Sequence, residues 1–493
     1  MNKKNIILPI FCVLCCVYMQ SINIQDTFAQ TSFQEIDRFI EQEIQTWRIP
    51  NVSIGITNND SILYIKEYGS GVGKGSNDTI PVRANYLVGS LSKPFTAIAV
   101  MQLVEQGKVK LDEPIKNYLA WFETGNATLS DKITVRHLLN QTSGLPKNAG
   151  FFTPTSEQQT AIDNEYKAYL LTLRIDEEAI GKTHIYCNLN YQILGQLIIK
   201  VSGLSYADYL NTHIFAPCQM KHTFATYQQT QQYGLRQGAQ YLFGFPVVYS
   251  FAHNNNGTAA GDIASNAEDM CNFLQMLLNE GKTKNGVVLS AGALQQMQQP
   301  FSHRYGMGFS IGDWNGIHSV RHSGLTRNYG AMMNILPNEH YGIVILTNIN
   351  SFSAARNLMD GVMRRLNNQE KESPPPYEMY LRYGLLALLV WNLLEFILRL
   401  NKWRKQGFIA YFSTNSKVIV RLVFGIAFAV IWIIVVPIFA DLPMAAMPLM
   451  QPDLGYGLIG GAIVGVCSAL VQYFLQGAAL LVTLQSNTEK KTV

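Results

Sequence analysis

The sequence predicts an α+β fold (an α/β sandwich). One antiparallel sheet is assembled from two stretches far apart in the chain, a helical lobe lies between them, and three membrane-spanning helices follow. Three observations carry this reading. VSIGIT (52–57) and SILYIKEY (61–68), joined by the turn Asn58-Asn59-Asp60, read as paired strands. YGAMMNILP (329–337) and YGIVILTN (341–348), joined by Asn338-Glu339-His340, read as a second pair, and helical patterns dominate from about 95 to 280. After the breaker SPPPYE (373–378), apolar runs at 380–400, 418–440 and 454–484 are each long enough to cross a bilayer. The central region, 31–370, shows no internal repeat.

The chain ends account for an unusual composition. Charged residues make up 15 % of the 493, against about 25 % in an average soluble protein. The formal net charge of +4 comes without a strongly basic block in the middle, so nucleic acid is not an expected partner. Lys3 and Lys4 precede the apolar run IILPIFCVLCCVYM, and Thr27-Phe28-Ala29 offers a cleavage site, so 1–29 reads as an export signal or an N-terminal anchor. The expected organisation is then a folded region over 31–370, a linker over 371–379, a three-helix membrane region over 380–485 and a cytoplasmic tail over 486–493.

Lys402, Arg404 and Lys405 follow the first run, and Lys490 and Lys491 follow the third. The loop between the second and third runs holds Asp441 and Asp453 and no Lys or Arg. Excess positive charge marks the cytoplasmic side, so the central region is expected outside, in agreement with the export signal. Only Cys187, Cys218 and Cys271 fall in the central region, which is neither a disulfide framework nor a zinc spacing; they read as small buried hydrophobes.

Chemistry enters at VGSLSKPFTAIAVMQLVEQGKV (88–109). Ser90 and Lys93 stand three apart at the mouth of a helical pattern, so they share one face. Gly89 permits a tight approach and Pro94 suits a first helical turn. A serine hydroxyl is a weak nucleophile until a base takes its proton. A lysine serves as that base when desolvation lowers its pKa. The helix N-terminus and the serine's own N–H favour a developing oxyanion.

Further landmarks follow in order. They are ITVRHLLNQTSGLP (133–146), YCNLNY (186–191), PCQMKHT (217–223), GDIASNAEDM (261–270), YGMGFS (305–310) and RHSGLTRNYG (321–330). Together with GSLSK (89–93), their order and spacing resemble the class C β-lactamase-like serine hydrolases, a group that includes penicillin-binding-protein-like peptidases and esterases. The resemblance covers about 33–368. It implies a β-lactamase/transpeptidase-like antiparallel sheet flanked by helices, with a helical lobe.

Roles come with the resemblance, position by position. Ser90 matches the acylated nucleophile and Lys93 its partner. Tyr186 and Asn188 match the family's Tyr-x-Asn element; Tyr186 or Lys93 is the base, and Asn188 orients Lys93 or binds a substrate amide oxygen. His322-Ser323-Gly324 stands where many members carry Lys-Thr-Gly, and the Leu325 N–H is implied to complete the oxyanion hole with that of Ser90. The histidine is the departure. A permanent cation has become an imidazole that is expected to donate a hydrogen bond to substrate or to Tyr186 but to clamp a carboxylate poorly. Efficient β-lactam hydrolysis is therefore less expected than esterase or peptidase action.

The remaining residues read as structural. His137 and Gly144 belong to a helix-to-loop junction, and Asp269 reads as a helix-start residue. His303, His318 and His340 have no metal-like spacing, so neither metal nor cofactor is expected. The function expected is an exported, membrane-held serine hydrolase that acts through an acyl-enzyme on an ester, an amide or a small peptide, including peptides with D-amino acids. The alternative is a penicillin-recognising or peptide-binding membrane sensor with little turnover. No protein partner is indicated.

Overall fold

A computed structural model of the chain describes residues 33–69, 84–251, 254–301, 304–369 and 373–406, with the single positions 455 and 481. Helix α1 (33–47) leads into strands β1 (Asn51–Thr57) and β2 (Ile62–Gly69). The helical lobe holds α2 (Ser92–Glu105), α3 (Asn188–Ser202) and several shorter helices, then the hairpin β3–β4 (Ala239–Leu242 and Phe245–Val248) and α4 (Ala267–Leu278). Strands β5 (Ser310–Trp314), β6 (Ile317–Leu325), β7 (Gly330–Leu336) and β8 (Tyr341–Thr347) follow. Helices α5 (Phe352–Leu366) and α6 (Tyr377–Gln406) close the described chain.

The principal sheet has six strands in the order β2-β1-β8-β7-β6-β5, every neighbouring pair antiparallel. The expected pairing of distant segments is present at its centre, where Ile54 lies opposite Ile345. Both faces of the central strands are covered, so β1, β7 and β8 read as nearly continuous apolar runs. Ile54, Ile56, Ile343 and Ile345 point toward α1 and α5, where they meet Ile36, Phe39, Leu358 and Val362. Val344 and Leu346 point to the opposite face and join the large core built on α2, α3 and α4. Helix α2 is buried over almost its whole length, as a helix wedged between sheet and lobe must be.

The assignments made to structural residues are visible. Thr134 and His137 form a capping box. Gly144 has φ +76° and abuts the Asp176 carbonyl. Asp269 lies in the first turn of α4 and accepts from His222 N and Thr223 Oγ1. Cys187, Cys218 and Cys271 are free and buried.

Two expectations differ from the structure. The hairpin β3–β4 and strand β5 lie where no strands are expected; β3–β4 makes its own two-stranded sheet, and β5 adds to the edge of the large one. The second difference concerns the C-terminal part. Among the described residues, no helix is long and apolar enough to cross a membrane. The first expected span falls on α6, which begins inside the expected linker, at Tyr377. Arg382, Glu395 and Arg399 interrupt its apolar sequence. Its first turns dock on the domain instead, with Met379, Arg382 and Leu385 buried. The export segment 1–29, the spans at 418–440 and 454–484 and the tail 486–493 lie outside the described residues, apart from the single positions 455 and 481.

Candidate active site

Ser90 sits on a single 3₁₀ turn, Gly89–Leu91, that feeds directly into α2. Gly89 has φ +57°, and a Cβ there would lie 2.6 Å from Leu325 N. A Cβ on Gly324 would lie 2.0 Å from the Val88 carbonyl oxygen. Both glycines are therefore required by close approach: the turn that carries Ser90 is pressed against the end of β6 with no room for side chains between. Strand β5 pairs with β6 only as far as Arg321. Among the described residues, His322–Leu325 thus has β7 on one side and no strand on the other.

At the second position of α2, Lys93 is fully buried. Its Nζ lies 2.8 Å from Ser90 Oγ, 2.8 Å from Asn188 Oδ1 and 2.7 Å from the Ala260 carbonyl oxygen. None of these partners is a carboxylate. Burial pulls the Lys93 pKa down to about 7, partly opposed by Cys187 and Asp262. A neutral amine has two N–H donors and one lone pair. Asn188 Oδ1 and the Ala260 carbonyl only accept, so they take the two donors, and the lone pair is left for the Ser90 hydroxyl proton.

Tyr186 reaches the same point from the loop before α3. Its phenol adjoins Ser90, and burial raises its pKa well above the usual phenol value. Its ring centroid lies 4.9 Å from Lys93 Nζ. Asn188 is the first residue of α3, which fixes its side chain over Lys93.

His322 is placed beside these groups, its ring centroid 6.4 Å from that of Tyr186. Its hydrogen bonds differ from the expectation. Nδ1 lies 2.7 Å from the Ser323 carbonyl oxygen, which can only accept, so Nδ1 carries the proton. Nε2 lies 3.1 Å from Tyr305 Oη. Burial, then the nearby Lys93 charge, pull the His322 pKa down to about 3, with Ser323 opposing. The imidazole is neutral, and Nε2 accepts from the Tyr305 hydroxyl. Both ring nitrogens are occupied, so His322 donates to neither Tyr186 nor a substrate in this arrangement. Ser323 and Leu325 alternate with buried His322 and Gly324 and remain partly accessible along the open edge.

The structure thus gathers Ser90, Lys93, Tyr186, Asn188 and the stretch His322–Leu325 around one cleft. Sequence reasoning missed the Ala260 carbonyl and Tyr305, although both lie in or beside quoted motifs. Among the described residues, no group of three or more His, Cys, Asp and Glu side chains is placed to hold a metal ion.

A partly accessible serine contacted by a buried lysine at the start of a central helix, pressed against the open end of an antiparallel sheet, is the arrangement of the β-lactamase and penicillin-binding-protein type of serine hydrolase. Residues 36–367 match the family model described as Beta-lactamase, and the chain belongs to that family. Protein flp of Staphylococcus aureus (strain MW2) is 30% identical over 327 residues, covering 65% of this chain and 64% of that protein. The chain therefore spans less than two thirds of that relative's length. Penicillin-binding protein 4 of Amycolatopsis lactamdurans is 25% identical over 303 residues, covering 58% of this chain and 77% of that protein. The octameric penicillin-binding protein homologue from Pyrococcus abyssi shares the fold, with a TM-score of 0.59 at 24% identity, over 69% of this chain and 79% of that one.

Proposed function

We propose that this protein is an exported, membrane-tethered serine hydrolase that forms an acyl-enzyme on Ser90. The observation that carries this reading is the contact of Lys93 Nζ with Ser90 Oγ at 2.8 Å, with Lys93 fully buried and its other partners neutral oxygens. Neutral Lys93 takes the hydroxyl proton as Oγ attacks the substrate carbonyl. The resulting oxyanion is stabilised by the backbone N–H groups of Ser90 and Leu325, held together by the Gly89 and Gly324 contact. Tyr186 stays protonated and donates to the leaving group; Lys93 then returns the proton. Water repeats the sequence in reverse and releases the acid.

The open edge of β6 supports a substrate with an extended backbone, such as a short peptide, alongside simple esters and amides. D-amino-acid peptides of the cell wall fit the expected compartment. Neutral His322 in place of a permanent cation supports ester or peptide substrates over those anchored by a carboxylate. The tether is supported by the apolar runs at 418–440 and 454–484, each long enough to cross a bilayer.

The full chain is expected to hydrolyse a chromogenic ester, with an acyl adduct on Ser90 by mass spectrometry. Ser90→Ala should lose both. Equal rates in the two proteins reject the reading, and one equivalent of adduct without turnover indicates a receptor instead.

A further inference from the structure

The hairpin β3–β4 is unlike an ordinary surface hairpin. Its sequence, AQYLFGFPVV (239–248), holds no charged residue. Leu242, Phe245, Val247 and Val248 are each between 39% and 47% exposed. The turn places Phe243 at φ +52° and Gly244 at φ +84°. Two positive φ values make a type I′ turn, for which Asn-Gly or Asp-Gly is the usual choice. An aromatic residue held in the left-handed region costs stability. Exposed hairpins usually carry charges that discourage association; this one has none.

Its position gives the reason. Gly244 packs on Tyr383 of α6, where a Cβ would lie 2.5 Å from the ring. Arg48 lies over Phe245 at 4.4 Å and over Tyr383 at 5.5 Å. The hairpin and the docked start of α6 therefore form one surface, with an exposed guanidinium between aromatic rings. Beyond Leu385, α6 leaves the domain and exposes Trp391, Leu394 and Leu398 at 66%, 52% and 65%. From there the chain continues into the apolar runs at 418–440 and 454–484. Aromatic and aliphatic side chains beside a cation, at the point where a chain turns toward apolar segments, match the chemistry of a headgroup–acyl boundary.

We infer that the hairpin β3–β4 is a membrane-docking tip: it seats the catalytic domain on the lipid surface beside α6 and fixes the direction in which the cleft faces. This rests on the membrane-tethered reading and goes beyond it, since a tether alone leaves the domain free to tumble.

The test uses the full chain in phospholipid vesicles, with a photoreactive benzoylphenylalanine replacing Phe245, Trp391 or, as an exposed control on another hairpin, Val287 (67% exposed). Retained esterase activity reports that each variant folds. The expected result is several-fold more lipid adduct at 245 than at 287, and an adduct at 391. An adduct at 391 with none above control at 245 overturns the docking tip and keeps the tether. Absence of lipid adducts at both 245 and 391 overturns both. Crosslinking of 245 to the chain's own 418–440 segment, or to a second copy, overturns the lipid assignment.

Discussion

Lys93 and Arg382 are both taken almost wholly out of water, 0% and 1% exposed, and the fold treats them in opposite ways. Arg382 meets the Glu378 carboxylate at 2.9 Å and lies over the Tyr241 ring at 4.9 Å. Guanidinium is permanently charged, so this pairing fixes the charge and the helix that carries it. Lys93 meets only a hydroxyl, an amide oxygen and a backbone carbonyl. Without an anion within hydrogen-bond reach, burial makes its proton easy to lose. The same physical cost, desolvation of a cation, is offset by a counter-ion at one site and left as reactivity at the other.

The largest effect should separate the two outright. Ser90→Ala and Lys93→Arg are expected to lower kcat/KM by at least about a thousandfold, the second because a permanent cation cannot accept the serine proton. Arg382→Met should leave kcat/KM within about twofold. Steady-state kinetics on one ester compares all three, and a collapse of activity in Arg382→Met would erase the distinction.

Tyr186→Phe sharpens the catalytic side. Removing the proton donor should cost about a hundredfold on an amide with a poor leaving group and much less on a p-nitrophenyl ester, whose leaving group needs no proton. Equal losses on both substrates would argue against a donor role. On the structural side, removing Arg382 leaves the half-buried Glu378 with Ser351 as its remaining partner, a loss of about 2 kcal/mol. It should appear as a lowered Tm of the full chain in detergent, while Lys93→Met should not lower Tm comparably. Tyr305→Phe is expected to be the mildest change, about three- to tenfold in kcat/KM. It frees His322 Nε2 without touching Ser90 or Lys93, so the Nε2 NMR signal should shift while the proton stays on Nδ1, where the Ser323 carbonyl holds it. An unshifted Nε2 signal would mean that Tyr305 does not donate to the ring.

How far the sequence reveals this site depends on which atoms do the work. Ser90 and Lys93 were legible because a helix puts i and i+3 on one face, and Tyr186 and Asn188 only through the resemblance to the family's Tyr-x-Asn element. The Ala260 contact was not legible, since a backbone carbonyl leaves no residue-type signature. The hydrogen bonding of His322 depends on Tyr305 from another segment and on the carbonyl of its own strand neighbour, neither of which spacing reveals. In the fold, the central strands carried continuous apolar runs and were read correctly. The hairpin β3–β4 was hidden inside a helical stretch because its pairing is local and its apolar residues face outward, opposite to the usual pattern.

The Lys93 pKa near 7, against an ordinary 10.5, has a sign in both activity and stability. Between about pH 7 and 10.5 the folded state binds fewer protons at this group than the unfolded chain, so its contribution to stability rises with pH across that window. The base is competent only when neutral, so acylation rises as pH passes upward through about 7. The most direct test is the rate at which a fluorophosphonate labels Ser90 as a function of pH. The account predicts a rise to a plateau with one inflection near 7. A rate that shows no inflection there and climbs toward pH 10 would mean that Lys93 keeps its ordinary pKa or that Tyr186 is the base, and would contradict it.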